Sequence, residues 1–92
     1  MWRRKRRQVS RAGEPVRLTP KEYAILEQLA RHPGRVLTHG HLLREIWGAD
    51  RAADVAHLRV FVRSLRQKIE ADASRPQFVL TEPGVGYRLN VA

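Results

Sequence analysis

A chain of 92 residues with a formal net charge of +9 allows one domain with a small core. The charge favours a polyanion as partner, without separating DNA from RNA or an anionic membrane surface. The absence of cysteine excludes a disulfide frame, a thiolate zinc site and a thiol nucleophile. No apolar run approaches the length of a membrane span, and MWRRKRRQ is not followed by the apolar stretch of a signal peptide, so a cytoplasmic protein is expected.

The first segment is the most basic, with Arg3, Arg4, Lys5, Arg6, Arg7 and Arg11. A like-charge run of this kind is an arm on phosphates or a solvated tail. Within it, residues 7–11 and Pro15 to Leu18 flank Ala12-Gly13-Glu14, which reads as a turn between two short strands. Residues 1–14 are therefore expected as a basic segment with a short strand, and residues 15–92 as the folded module.

Thr19-Pro20-Lys21-Glu22 is a helix start: Thr19 can cap, Pro20 fits the first helical position and Glu22 completes a capping box. Tyr23, Leu26, Leu29 and Ala30, helped by Ile25, give that helix its buried face, and His32-Pro33-Gly34 ends it. Val36-Leu37 reads as a short apolar link. Thr38 caps a second helix carrying Leu42, Leu43, Ile46 and Trp47 inward, stopped by Gly48.

After a loop over residues 48–53, Asp54 or Asp50 caps a long third helix, where an acid suits the positive end of the helix dipole. Val55, Leu58, Val62, Leu65 and Ile69 fall on one helical stripe, with Phe61 at its edge. Arg59, Arg63 and Arg66 form a second stripe beside it. Between Val55 and Ile69 there are four basic residues, one histidine and no acid. Helix surfaces ordinarily mix both signs because opposite charges at i, i+4 attract, so a one-signed face points to an anionic partner. Residues 71–76 are a polar connector. Phe78 to Thr81 and Tyr87 to Val91 have strand composition, and Glu82-Pro83-Gly84-Val85-Gly86 supplies the turn of a hairpin.

The expected fold is α+β: a shortened N-terminal β-hairpin, a three-helix core and a C-terminal hairpin. Two helices separated by a brief loop make a helix-turn-helix, and the hairpin that follows is the wing of a winged helix. On that fold Arg59, Arg63 and Arg66 are candidates for the major groove, where arginine forks onto guanine or holds a phosphate. Val60 and Ser64 lie opposite the buried stripe and face the same groove, Val60 being suited to a thymine methyl. Thr38 and His39 sit where a helix N-terminus binds phosphate. Thr81, Pro83, Gly84, Tyr87 and Arg88 surround the wing turn, with Gly84 and Gly86 first of all a turn requirement. Glu82 must turn away from phosphate. His39 and His41, at i, i+2, point to nearly opposite sides of a helix, which argues against a metal. No cofactor is expected. With no phosphate loop, metal cluster or nucleophile beside a spaced histidine and acid, the chain does not read as an enzyme.

Several stretches resemble the DNA-binding domain of OmpR/PhoB-type response regulators. They are Leu18-Thr19-Pro20-Lys21-Glu22-Tyr23, Gly34-Arg35-Val36-Leu37-Thr38 and Leu42-Leu43-Arg44-Glu45-Ile46-Trp47-Gly48, followed by Leu65-Arg66-Gln67-Lys68-Ile69 and Thr81-Glu82-Pro83-Gly84-Val85-Gly86-Tyr87-Arg88. Leu58-Arg59-Val60-Phe61 and Arg75-Pro76 are most similar to the regulators of potassium-transport operons. The resemblance implies that Arg59 and Arg66 contact DNA, that the Trp47 indole N–H reaches a phosphate and that the wing tip lies at the minor groove. It also implies an RNA-polymerase-contacting loop at residues 48–53 and pairing of two copies head to tail on tandem half-sites. A receiver domain and a four-stranded N-terminal sheet, usual in the family, are not seen, so an excised fragment or truncated relative is expected. Such a chain should be a monomer in solution, with strand exchange before Leu18 as the competing assembly. Two other readings stay open: a protein-docking winged helix, and nonspecific polyanion binding through residues 1–11. RNA is disfavoured because no aromatic stacking platform faces solvent.

Overall fold

The computed structural model describes residues 9–11, 13–48 and 54–90. It opens with an antiparallel hairpin of β1 (Val9–Arg11) and β2 (Glu14–Val16). The register pairs Arg11 with Glu14, which draws Glu14 out of the expected turn and into the ladder. The second strand accordingly starts one residue before the expected Pro15.

Helix α1 (Pro20–Arg31) starts on the capping box read from the sequence. Thr19 Oγ1 accepts from the Glu22 N–H at 3.2 Å, and the Glu22 carboxylate accepts from the Thr19 N–H at 2.8 Å. Helix α2 (His39–Trp47) is capped by Thr38, whose hydroxyl accepts from the His41 N–H at 3.1 Å. Helix α3 (Val55–Ile69) is capped by Asp54, which accepts from the His57 N–H at 3.1 Å. That hydrogen bond holds the Asp54 carboxyl below the usual carboxylate range. Asp50, the other candidate cap, lies outside the described residues.

In the link expected at Val36-Leu37, Leu37 instead opens a two-residue strand. Between α1 and α2, β3 (Leu37–Thr38) pairs antiparallel with β5 (Gly86–Leu89), which in turn pairs with β4 (Val79–Glu82), giving the order β3-β5-β4. Two residues are too few to carry a period-2 pattern. The structural signal is Gly86: a Cβ there would overlap the Leu37 carbonyl group and the Thr38 Cα. Gly86 is therefore a close-approach glycine, whereas Gly84, with φ of 73°, serves the turn. Gly86→Ala should cost about 3 kcal/mol or more, because backbone must move on both strands. Urea unfolding measures it.

The core lies where α1, α2 and α3 meet β5. Ile25, Leu26 and Leu29 of α1, Leu42 of α2, Leu58, Val62 and Leu65 of α3 and Val79 of β4 are fully covered. Leu43, Ile46, Trp47 and Phe61 pack on its margin, so Phe61 is a core-edge residue. Two carboxylates, Glu22 and Glu70, are buried as well. Glu22 is 1% exposed, and its carboxylate accepts from Ser64 Oγ and, at 2.6 Å, from Lys68 Nζ. Burial works to raise its pKa, but the hydrogen bonds from Lys68, Ser64 and Thr19 outweigh it and hold the carboxyl below its ordinary 4.5.

A carboxyl depressed in the folded state adds stability that is fully present above its ordinary pKa. That stability is lost as pH falls through the folded value. Urea melts at decreasing pH should therefore show stability falling below about pH 4.5. Glu22→Gln should remove that part of the slope, leaving the remaining acids to titrate.

Candidate nucleic-acid interface

The third helix turns 100° per residue, and that geometry sorts its polar side chains onto three surfaces. Arg59, Val60, Arg63 and Gln67 are exposed, Val60 at 65%. Among the described residues neither Arg59 nor Arg63 has an ion-pair or hydrogen-bond partner, and both guanidiniums are available to a ligand. Ser64 and Lys68 share the flank that faces α1, where Glu22 takes both. Ser64 is thus not outward beside Val60, as expected, but half-buried. It lies on the side of α3 turned toward α1, where the Glu22 carboxylate draws it in.

Arg66 occupies the other flank and faces the wing. Its Nε and Nη2 donate to the Val79 carbonyl at 3.0 and 2.8 Å, and Nη2 donates to Thr81 Oγ1 at 2.7 Å. The guanidinium lies over the Tyr87 ring, 5.6 Å from its centroid. Burial lowers its pKa from the ordinary arginine value. Arg66 therefore differs from Arg59: much of its hydrogen-bonding capacity already joins α3 to β4.

Tyr87 is the meeting point of the three elements. Expected at the wing surface, it is 4% exposed, because β5 is the central strand and its ring is covered from both sides. Arg66 of α3 lies over it, and the His39 ring at the start of α2 meets it edge-on at 5.6 Å. The His39 N–H donates to the Val85 carbonyl at 3.1 Å, tying the α2 N-terminus to the wing. Thr38 and His39 thus sit beside the hairpin, with Thr38 exposed. At the wing itself Thr81, Pro83 and Gly84 are exposed. Arg88 Nε donates to the Glu82 carboxylate at 2.7 Å, so the acid that ends β4 is paired with a cation diagonally across the hairpin.

Trp47 is half-buried at the end of α2. Its ring meets Phe61 edge-on at 5.5 Å, and Lys21 Nζ lies 5.1 Å from its centroid while donating to the Ile46 carbonyl at 3.0 Å. Lys21 was not singled out from the sequence, since a lysine in the first turn of α1 reads as an ordinary surface charge. Glu70 was missed as well. Its signal was an acid at the C-terminal end of a helix, where the dipole disfavours it.

Residues 13–89 match the family described as "Transcriptional regulatory protein, C terminal". The chain is 45% identical over 82 residues to the transcriptional regulatory protein KdpE of Mycobacterium tuberculosis (strain CDC 1551 / Oshkosh), covering 89% of this chain and 36% of that protein. It thus spans about a third of the length of the curated relatives it matches. Its fold matches response regulator DrrB, a Thermotoga maritima OmpR/PhoB homolog, with a TM-score of 0.78 and 32% identity, over 86% of this chain and 36% of that one. It also matches the Klebsiella pneumoniae RstA DNA-binding domain, solved in complex with the RstA box, with a TM-score of 0.82 and 28% identity over 97% and 88% of the two chains. Profile, sequence and fold agree, and the chain belongs to the OmpR/PhoB-type family of C-terminal winged-helix domains of transcriptional regulatory proteins.

Proposed function

We propose that the chain binds double-stranded DNA sequence-specifically as the non-catalytic effector domain of a two-component transcriptional regulator. In this reading α3 enters the major groove and the wing, residues 78–91, lies at the minor groove. The observation that carries it is the exposed face of α3, where Arg59 and Arg63 flank Val60 with no acid on the helix to offset them. A surface of this kind leaves its charge to the ligand. Arginine at a groove-sized helix can read guanine or hold phosphate, and an outward valine suits a thymine methyl. The RstA domain was solved on its own DNA box, which supports the same use of a shared fold.

Thr38 and His39 at the start of α2 hold a phosphate, as does the Trp47 indole, while Thr81, Pro83, Gly84 and Arg88 line the wing's approach to the backbone. Arg66 and Tyr87 act beneath them. The basic segment over residues 1–14 adds positive charge for the phosphates, and the loop over residues 48–53, of which 49–53 lie outside the described residues, contacts RNA polymerase. The protein works in the cytoplasm. No helix among the described residues is long and apolar enough to cross a membrane.

Two copies bind tandem half-sites about one helical turn apart, while the chain alone is a monomer. Sedimentation tests both parts of the reading. The chain alone should run as a monomer at every concentration, and two copies should join on a duplex carrying its preferred tandem sites. A dimer that survives dilution without DNA, or no complex on any duplex, contradicts it.

A further inference from the structure

Glu70 follows the last turn of α3, at the end of the helix where a negative charge is disfavoured, and it is 2% exposed. Three successive backbone N–H groups converge on its carboxylate. Oε1 accepts from Gln77 at 2.8 Å and from Phe78 at 3.2 Å, while Oε2 accepts from Phe78 at 3.0 Å and from Val79 at 2.9 Å. One turn earlier on the same helix, Arg66 holds the Val79 carbonyl through two nitrogens. Val79 is the first residue of β4 and is fully buried. Its N–H and its C=O are thus gripped by two side chains four residues apart, in the last turn and at the C-cap of the helix that carries Arg59 and Arg63.

Taking a carboxylate out of water is costly unless its oxygens are fully hydrogen-bonded, and an apolar residue often serves stability as well. The arrangement does something an apolar side chain cannot: it fixes β4 in direction as well as in place. From Val79 to the Pro83-Gly84 tip is about 15 Å of extended strand, so a tilt of about 10° at the clamp would displace the tip by nearly ~3 Å. Hydrogen bonds to a DNA backbone do not tolerate such a displacement. β5 has a strand on each side, whereas β4 is an edge strand with β5 on one side only, and this clamp to α3 is its second anchor.

We infer that Glu70 is a positioning residue for DNA recognition, setting the angle between the groove-facing helix and the wing without touching DNA. The inference rests on the DNA-binding reading above. Arg66 and Glu70 together make the wing and α3 one rigid reading head, so that both grooves are engaged in a single geometry.

The test is Glu70→Gln, which removes the charge and can turn a donor toward the converging N–H groups. Affinity is measured on a preferred duplex, with guanine N7 methylation reporting the major groove and hydroxyl-radical cleavage reporting the minor groove. Binding should weaken about tenfold. At saturation, guanine protection should persist while the minor-groove protection beside the wing is lost. Unchanged affinity with both grooves protected would overturn the inference, as would loss of both protections together in a folded variant. If the glutamine variant does not fold, Glu70→Asp keeps the charge but withdraws the oxygens by one methylene and takes the same test. Failure of both to fold would also overturn it, since Glu70 would then serve folding alone. Wild-type protein protecting neither groove on any duplex would instead bring down the DNA reading, and this inference with it.

Discussion

Arg59→Ala lowers affinity for the preferred duplex by about 1–3 kcal/mol and leaves the folded state intact. The expectation rests on two structural facts. Arg59 is exposed, and among the described residues its guanidinium has no partner, so truncation breaks nothing inside the protein. Arg66→Ala should behave differently, because it also frees the Val79 carbonyl and Thr81 Oγ1 from their donors. That variant should lose thermal stability along with affinity. Fluorescence anisotropy on the preferred duplex and on single-base variants, run beside thermal melts, separates the two. If Arg59 reads a base, discrimination relaxes at one position; if it holds a phosphate, binding weakens equally on every sequence. Unchanged binding after Arg59→Ala would mean that α3 is not the recognition element.

Raising salt should weaken binding by orders of magnitude. Each phosphate neutralised by lysine or arginine releases condensed counterions and adds roughly −0.9 to the slope of log K against log salt. About four to eight contacts are available from the arm, α2, α3 and the wing, so the slope should lie between about −4 and −7. The chain's excess of 18 basic over 9 acidic residues is large enough to support this, and Arg88 is the wing cation whose charge is already offset by Glu82. Titrations at several salt concentrations give the slope directly. A flat response would rule out phosphate-directed binding.

The helices were legible in the sequence because each carries its own local signals. Thr19, Thr38 and Asp54 are caps with a stated donor to satisfy, and the apolar stripes repeat often enough to fix a face. Leu58, Val62, Leu65 and Ile69 are buried as their spacing requires. What was not legible depends on residues distant in the chain. β3 is two residues long and exists because Gly86, nearly fifty residues later, lets its backbone come close. Ser64 turns inward because Glu22 waits on another helix. Arg66 and Tyr87 looked like ligands for an outside partner, since an arginine on a basic stripe and a tyrosine in a wing carry no mark of each other. Once β5 is central and Arg66 lies over it, both are spoken for. Arg59, Val60 and Arg63 remain on the surface as periodicity places them, because no described residue covers that face.

The central claim is that this face reads sequence. Selection of bound molecules from a random duplex library, at fixed and stated salt, tests it most directly. The expected result is enrichment of tandem, similarly oriented half-sites about one helical turn apart, with the preference relaxed at one base position in Arg59→Ala if that arginine reads a base. A bound pool as random as the starting library, with affinity kept, would contradict it and leave only nonspecific attraction to a polyanion.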